Sequence, residues 1–248
     1  MGILDFLGGK SPAKALKLKA KVTQKYGDPV ARQKALQQLG EMDFPEAVMV
    51  LLARFTITVE PQTTDADEKD QTFELIRSRG AAAVPTITAF LARTDHASSW
   101  AVRLLAALLP EEQVVGVLVE HLSALAHGYT RDPEKKLVLL GWLTGKPDPR
   151  IAPAALPLLE DMADDVKIAA LRALGPAAHA PARESILQLL TAPDTARRVQ
   201  TACVEALAES GFGVQGFREK VEALLPEPFF VDKAGLLKRR GAADAGPP

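Results

Sequence analysis

The side chains able to do chemistry are few and scattered. Four histidines, His96, His121, His127 and His179, are the first candidates, because imidazole can ligate a metal or move a proton near neutral pH. None stands in an H-E-x-x-H step, and His121 and His127, six apart in sequence, do not share a helical face. The lone cysteine, Cys203, sits among small apolar residues in VQTACVEALA, where it reads as a packed side chain and not as a nucleophile. DADEKD, starting at Asp65, has the carboxylate density of a calcium loop. It lacks the glycine of the sharp turn and a terminal glutamate, so its carboxylates read as caps of a helix beginning near Asp67. No metal and no cofactor is expected.

Two glycine patterns touch on phosphate chemistry. Gly211-Phe212-Gly213-Val214-Gln215-Gly216 spells G-x-G-x-x-G, but a dinucleotide site needs a strand before it and a helix after it. Here the preceding segment, Val199–Ser210, is helical in pattern, so the glycines read as a turn between helices. Gly9-Lys10-Ser11 ends like a phosphate loop, yet Leu4 stands where the first glycine is required and no apolar strand precedes it. Neither carries nucleotide chemistry.

The elements that would position any of these groups are helices of one kind. In Asp164–Gly175, DDVKIAALRALG, the residues Val166, Ala169, Ala170, Ala173 and Leu174 fall at spacings of three and four and make one apolar face. Asp164 or Asp165 is placed to cap the first turn, and Gly175-Pro176 is expected to stop the helix. The same frame fits Val199–Ala208 and Ala31–Gly40, and looser copies occur at Ala101–Pro110 and Lys136–Gly145. An acid precedes each unit at Asp28, Asp65, Asp95, Asp132, Asp164 and Asp194, a spacing of 30 to 37 residues. Second helices follow, as in PEAVMVLLARF from Pro45 and APARESILQLL from Ala180, with proline near the first turn, where no helical N–H is lost.

Asp-x-x-Val-[Lys/Arg]-x-Ala-Ala-x-x-Ala-Leu-Gly followed by a proline-led helix resembles the HEAT repeat, in the bacterial form first described in phycobilisome lyases. The resemblance spans roughly residues 28–225. It implies an all-α fold, a right-handed α-solenoid of about six helix hairpins, whose usual work is holding other proteins. Residues 1–27 then form an N-terminal segment and basic capping helix, 28–225 the repeats, and 226–248 a capping hairpin and disordered tail. Hydroxylases built from such repeats carry paired His-Glu steps for iron; here His121 follows Glu120, reversed and once. HEAT-like DNA glycosylases need a basic groove where Trp, Asp and Arg converge; Trp100, Trp142 and Arg103 show no matching spacing.

Composition narrows the function further. Thirty Lys and Arg against 31 Asp and Glu give a net charge of −1, which argues against a nucleic-acid binder. One cysteine permits no internal disulfide, and a cytoplasmic location is expected. MGILDFLGGKSP has no basic region ahead of its apolar residues and is not read as a secretory signal. Gly2 invites myristoylation, but Phe6 stands where Ser or Thr is needed.

The helix from Ser11-Pro12 to about Tyr26 carries Lys14, Lys17, Lys19, Lys21 and Lys25. Its preferred reading is the polar outer face of a terminal repeat; the other is a basic amphipathic helix for an anionic membrane or acidic partner. Trp100 and Trp142 occupy columns held elsewhere by Val30, Lys135, Asp165 and Arg198, and by Gln37, Ala107, Arg172 and Glu205. Each ring either packs under a neighbouring loop or stands out as an interface anchor. The stretch Thr58–Gln71 reads as a projecting loop. Phe229–Val231 and Gly235–Leu237 read as a hairpin over the last repeat, and Lys238-Arg239-Arg240 as a solvated cluster.

These features point to a non-catalytic scaffold, monomeric on its own, that binds unnamed protein partners. Its candidate contacts are Trp100, Trp142, Lys14, Lys17 and Lys21. The alternative is an enzyme or enzyme subunit of the HEAT-like lyase type, acting on a chromophore or a modified protein.

Overall fold

Three helix starts in this chain are set by a short polar side chain followed by proline. Ser11 Oγ accepts the Lys14 N–H at 3.2 Å and opens α1 (Pro12–Val22). Asp28 Oδ1 accepts the Val30 N–H at 2.9 Å and opens α2 (Pro29–Gly40). Each cap satisfies a donor the helix leaves free, a contribution of about 1 kcal/mol. Asp132 Oδ1 does the same for the Glu134 N–H at 3.0 Å, opening α8 (Glu134–Leu143). The computed structural model describes residues 10–126, 128 and 132–240. The apolar segment at 2–7, His127 and the GAADAGPP tail lie outside them.

The chain divides into two compact units, Met1–Val114 and Val115–Pro248, with the division inside α7 (Glu111–Ala126). In the first unit α2 pairs with α3 (Pro45–Ala53), and α4 (Gln62–Arg77) is followed by α5 (Val84–Arg93) and α6 (Ser98–Leu108). First helices pack on first helices, α2 on α4 and α4 on α6, while α3 packs on α5; α1 lies against α2 and α3. The core between the layers holds Leu36, Leu39, Leu51, Leu52, Ile76, Ile87, Leu91, Leu104 and Leu105, all fully buried. Each such side chain contributes roughly 1.5–3 kcal/mol. Arg79, just past α4, donates to the Leu39 carbonyl at 2.8 Å, to that of Gly40 at 3.1 Å, and to that of Met42. A cation there adds donors to carbonyls at the end of α2 and opposes its negative end.

The second unit repeats the scheme with α8, α9 (Ile151–Ala155) and its 3-10 continuation Leu156–Glu160, α10 (Asp164–Ala177), α11 (Ala182–Thr191), α12 (Arg197–Ser210) and α13 (Arg218–Leu224). The first-helix layer runs α8, α10, α12; the second-helix layer runs Leu156–Glu160, α11, α13. This is the all-α, HEAT-like arrangement of stacked helix pairs. The strands β1 (Phe229–Val231) and β2 (Leu237–Arg239) form an antiparallel hairpin after it, with β2 against α12 and β1 against α13. Cys203 is fully buried in α12, and burial pushes its thiol up to about 12, so it stays protonated and unreactive in the folded chain.

Three details depart from the sequence reading. The projecting loop is helix from Gln62 onward. Its buried face is Asp65, Glu68, Thr72 and Ile76, a helical spacing written mostly in polar residues, which an apolar-periodicity reading passes over. Gly175-Pro176 does not stop α10, which runs on to Ala177 and ends at Ala178 in the left-handed region, φ 45°. Gly175 serves packing instead: a Cβ there would lie 2.6 Å from a Glu209 carboxylate oxygen and 3.3 Å from the Ala206 Cα, so the glycine lets α12 approach. In the hairpin the second strand starts at Leu237, not Gly235. Asp232 Oδ1 accepts the N–H groups of Ala234 and Leu236, both at 2.9 Å, and Gly235 takes φ 81°, which widens the turn. Lys238 and Arg239 are therefore ladder residues opposite Phe230 and Phe229.

Candidate functional site

An open groove of about 1070 Å³ crosses the second unit. It is lined by Leu156, Pro157 and Leu159 of the 3-10 turn, by Ser185, Gln188 and Leu189 of α11, and by the links 160–162 and 192–196. Two buried or half-buried lysines, Lys136 and Lys167, also reach it. Lys136 is nearly inaccessible; its Nζ donates to Asp161 Oδ2 at 2.7 Å and to the Gly128 carbonyl at 3.2 Å. An ammonium so desolvated needs such partners. Asp161 Oδ1 in turn accepts the Ala163 N–H at 2.9 Å. That turn fixes the entry to α10 and leaves Met162 between the bonded residues, 85% exposed.

Charge in the groove is unevenly answered. Lys136 is neutralised by Asp161, and Lys167 lies 3.9 Å from Asp164. Asp164 also meets Arg198 at 3.3 Å, and Arg198 bridges to Asp165, tying α12 to the start of α10. Glu160 and Asp194 are exposed and have no ion-pair partner among the described residues. The groove thus offers apolar contact at Leu156, Leu189 and Met162 beside two open carboxylates. The Thr195 hydroxyl is already spent on the Leu189 carbonyl at 2.7 Å. Among the described residues no three His, Cys, Asp or Glu side chains are grouped so as to hold a metal ion. The chemistry on offer is recognition of an apolar, cationic segment.

The candidate contacts Trp100, Trp142, Lys14, Lys17 and Lys21 lie elsewhere, and none of them lines the groove. Trp100 is half-buried and stacked on Phe55, with ring centroids 4.6 Å apart and planes 14° from parallel. Phe73 tilts against it at 6.3 Å, and the exposed Arg103 guanidinium lies over the Trp100 ring, 4.3 Å from its centre. Such a stack is favourable by more than its buried area. Trp142, on α8, is half-buried with Lys146 Nζ 4.9 Å from its ring centre. Gln37, Ala107, Arg172 and Glu205, in the same repeat column, are exposed. The Trp100 column is mixed, since Lys135 is buried while Val30, Asp165 and Arg198 are exposed. Lys17 and Lys21 are exposed on α1 and Lys14 is half-buried.

The Gly211–Gly216 loop leaves α12, and two of its carbonyls are held by one side chain. Arg183 donates to those of Gly213 and Gln215, both at 2.7 Å. The Val214 N–H is given to the Gly235 carbonyl at 2.8 Å, which ties the loop to the hairpin. His121 Nδ1 lies 2.8 Å from the Val117 carbonyl, one turn back on its own helix.

Sequence reasoning missed Glu160, Met162 and Lys136 as groove residues. They sit at helix ends and in a link; of the groove's acids, Asp164 and Asp194 were marked, as acids that precede a repeat.

No family model matches the sequence, and no curated protein matches it. Among solved structures the chain is similar to human deoxyhypusine hydroxylase in complex with glycerol, at 14% identity and a TM-score of 0.37, over 88% of this chain and 91% of that one. The likeness is one of HEAT-like helical-repeat fold. It also corrects the expectation of a non-catalytic protein: the similar chain is a hydroxylase, so repeats of this kind occur in enzymes and do not mark a chain as non-enzymatic. Among the described residues no helix is long and apolar enough to cross a membrane.

Proposed function

We propose that this chain is a cytoplasmic helical-repeat scaffold whose C-terminal unit grips a partner protein by a segment that is both basic and apolar. One observation carries the reading: the groove pairs its interior lysines with acids yet leaves Glu160 and Asp194 unanswered, beside a Met162 that is 85% exposed. A flexible thioether adapts to varied apolar side chains, and two open carboxylates reject acidic segments while steering basic ones. Stacked helix pairs supply a rigid frame, so little ordering cost falls on the scaffold when it binds. The lone buried cysteine suits a reducing compartment. The reading concerns what is held in the groove and stands whether or not a reaction follows there.

Peptide display against the full chain tests it. Enriched peptides should combine Lys or Arg with Leu, Ile or Met. Synthetic versions should bind the Glu160→Lys/Asp194→Lys variant at least about tenfold more weakly, as expected for like charge replacing opposite charge at a partly desolvated contact. Met162→Asp should weaken binding separately. Enrichment of acidic peptides, or equal affinity for the doubly reversed variant, would sink the proposal.

A further inference from the structure

The first unit carries a surface of a different kind, unrelated to the groove. From Lys10 to Gly27 the sequence holds six lysines and no acid. α1 turns Ala15, Leu18 and Val22 into the core against α2 and α3. At 100° per residue its opposite ridge is then Ala13, Leu16 and Ala20 with Lys17 beside them. Leu16 is 45% exposed. Lys21 flanks the ridge on one side and Lys19 on the other. Lys10 has one exposed partner, Glu41 at 3.8 Å. Lys17, Lys19, Lys21 and Lys25 have no ion pair among the described residues. Just past the helix, Tyr26 is 91% exposed and Val30 73% exposed.

We propose that this face docks on an anionic lipid surface. A shallow apolar ridge bordered on both sides by lysines suits a helix lying in the plane of a membrane interface, with its long cationic side chains reaching outward to headgroups. An exposed tyrosine at the helix end is placed as interfacial aromatics are. The helix need not leave its core, since the ridge and the buried face are opposite. A nucleic acid would fit less well, because the segment contains no arginine to fork onto phosphates or base edges, and its ridge is methyl and isobutyl, without hydrogen-bonding groups. An acidic protein would leave that ridge and Tyr26 without a matching surface.

Each lysine held near an anionic leaflet raises binding about fivefold. Reversing three should therefore lower the partition coefficient by at least about a hundredfold. The test is co-sedimentation of the full chain with phosphatidylcholine vesicles containing roughly one-third phosphatidylserine, against vesicles of phosphatidylcholine alone. Wild type should pellet with the anionic vesicles only, and less as salt rises. Lys17→Glu/Lys21→Glu/Lys25→Glu should stay in the supernatant with an unchanged melting temperature. The neutral version, Lys→Gln at the same three positions, should also stay behind, and covers the case in which the reversed variant folds poorly. Tyr26→Ala should weaken pelleting several-fold at constant charge. The inference fails if wild type ignores the anionic vesicles, pellets equally with neutral ones, or if the Lys→Gln variant binds like wild type. It also fails if duplex DNA or a polyglutamate peptide captures the chain at a salt concentration where the vesicles do not.

Discussion

Replacing Glu68 tests the most unusual feature of the first unit, a charge cluster inside its core. Glu68 Oε2 accepts from Arg32 Nε at 2.6 Å and from Arg54 Nε at 2.9 Å, and all three side chains are at most 3% exposed. Arg54 continues to Asp65 Oδ1 at 2.7 Å, and Asp65 Oδ2 meets Lys69 at 2.7 Å. Glu68→Ala would leave the buried Arg32 guanidinium without a carboxylate and Arg54 with Asp65 alone. Removing one partner of a buried ion pair costs about 3–5 kcal/mol, and at a urea slope of roughly 2 kcal/mol/M the midpoint should fall by about 1.5–2.5 M. Glu68→Gln separates charge from geometry. Both donors meet the same oxygen, so an amide oxygen can keep both bonds and lose only the charge assistance, a cost of about 1–2 kcal/mol. Equilibrium urea unfolding followed by far-ultraviolet circular dichroism reads both. A drop below about 1 kcal/mol for Glu68→Ala, or equal losses for the two variants, would show that the cluster is hydrated and the burial argument wrong.

Two further outcomes follow from the packing and the charges. Burial opposes the ionised form of Asp65, but the bonds from Lys69, Arg54 and the Val59 N–H outweigh it and hold its carboxyl below the usual carboxylate value. A folded-state pKa below the unfolded one, about 3.9, means stability present above that value and lost as pH falls through the folded pKa; the urea midpoint of Asp65→Asn should therefore fall less steeply than that of wild type below about pH 4. Ala170, fully buried on α10, which packs closely on α8 and α12, should not accept a larger side chain: Ala170→Leu is expected to destabilise by about 1–3 kcal/mol through overpacking, and a melting temperature equal to wild type would contradict that.

The repeats were legible because their cores are apolar and periodic. Val166, Ala169, Ala170, Ala173 and Leu174 mark the inner face of α10 from spacing alone, and all are buried but Ala169, which is half-buried. α4 was misread for the opposite reason. Its inward positions Asp65, Glu68 and Thr72 are polar, and only the arrival of Arg32 and Arg54 from elsewhere in the chain makes them core. No local pattern announces that. Gly175-Pro176 carried the usual stop signal, but the same glycine answers a packing need set by Ala206 and Glu209, more than thirty residues on. The groove was illegible for a third reason. Its open acids and Met162 are defined by what fails to pair with them, and pairing is a property of the folded chain.

The acids that open the repeats show how far burial decides the use of one residue type. In the sequence Asp28, Asp65, Asp95, Asp132, Asp164 and Asp194 fill one slot, each preceding a repeat. Asp28 and Asp132 do cap, each bonding a backbone N–H two residues on. Asp65 is drawn inward, where its oxygens meet Arg54, Lys69 and the Val59 N–H, and it ties a 3-10 turn to α4. That turn also carries Phe55, the ring on which Trp100 stacks, so the inward acid fixes one side of the Trp100 platform. Asp164 bonds outward to Arg198 and joins α10 to α12. Asp194 bonds nothing among the described side chains and faces the groove. A carboxylate's contribution here runs from about 1 kcal/mol for a cap, through several for a buried partner, to little stability at all for an exposed one. The one left unsatisfied is the one free to meet a partner's cation.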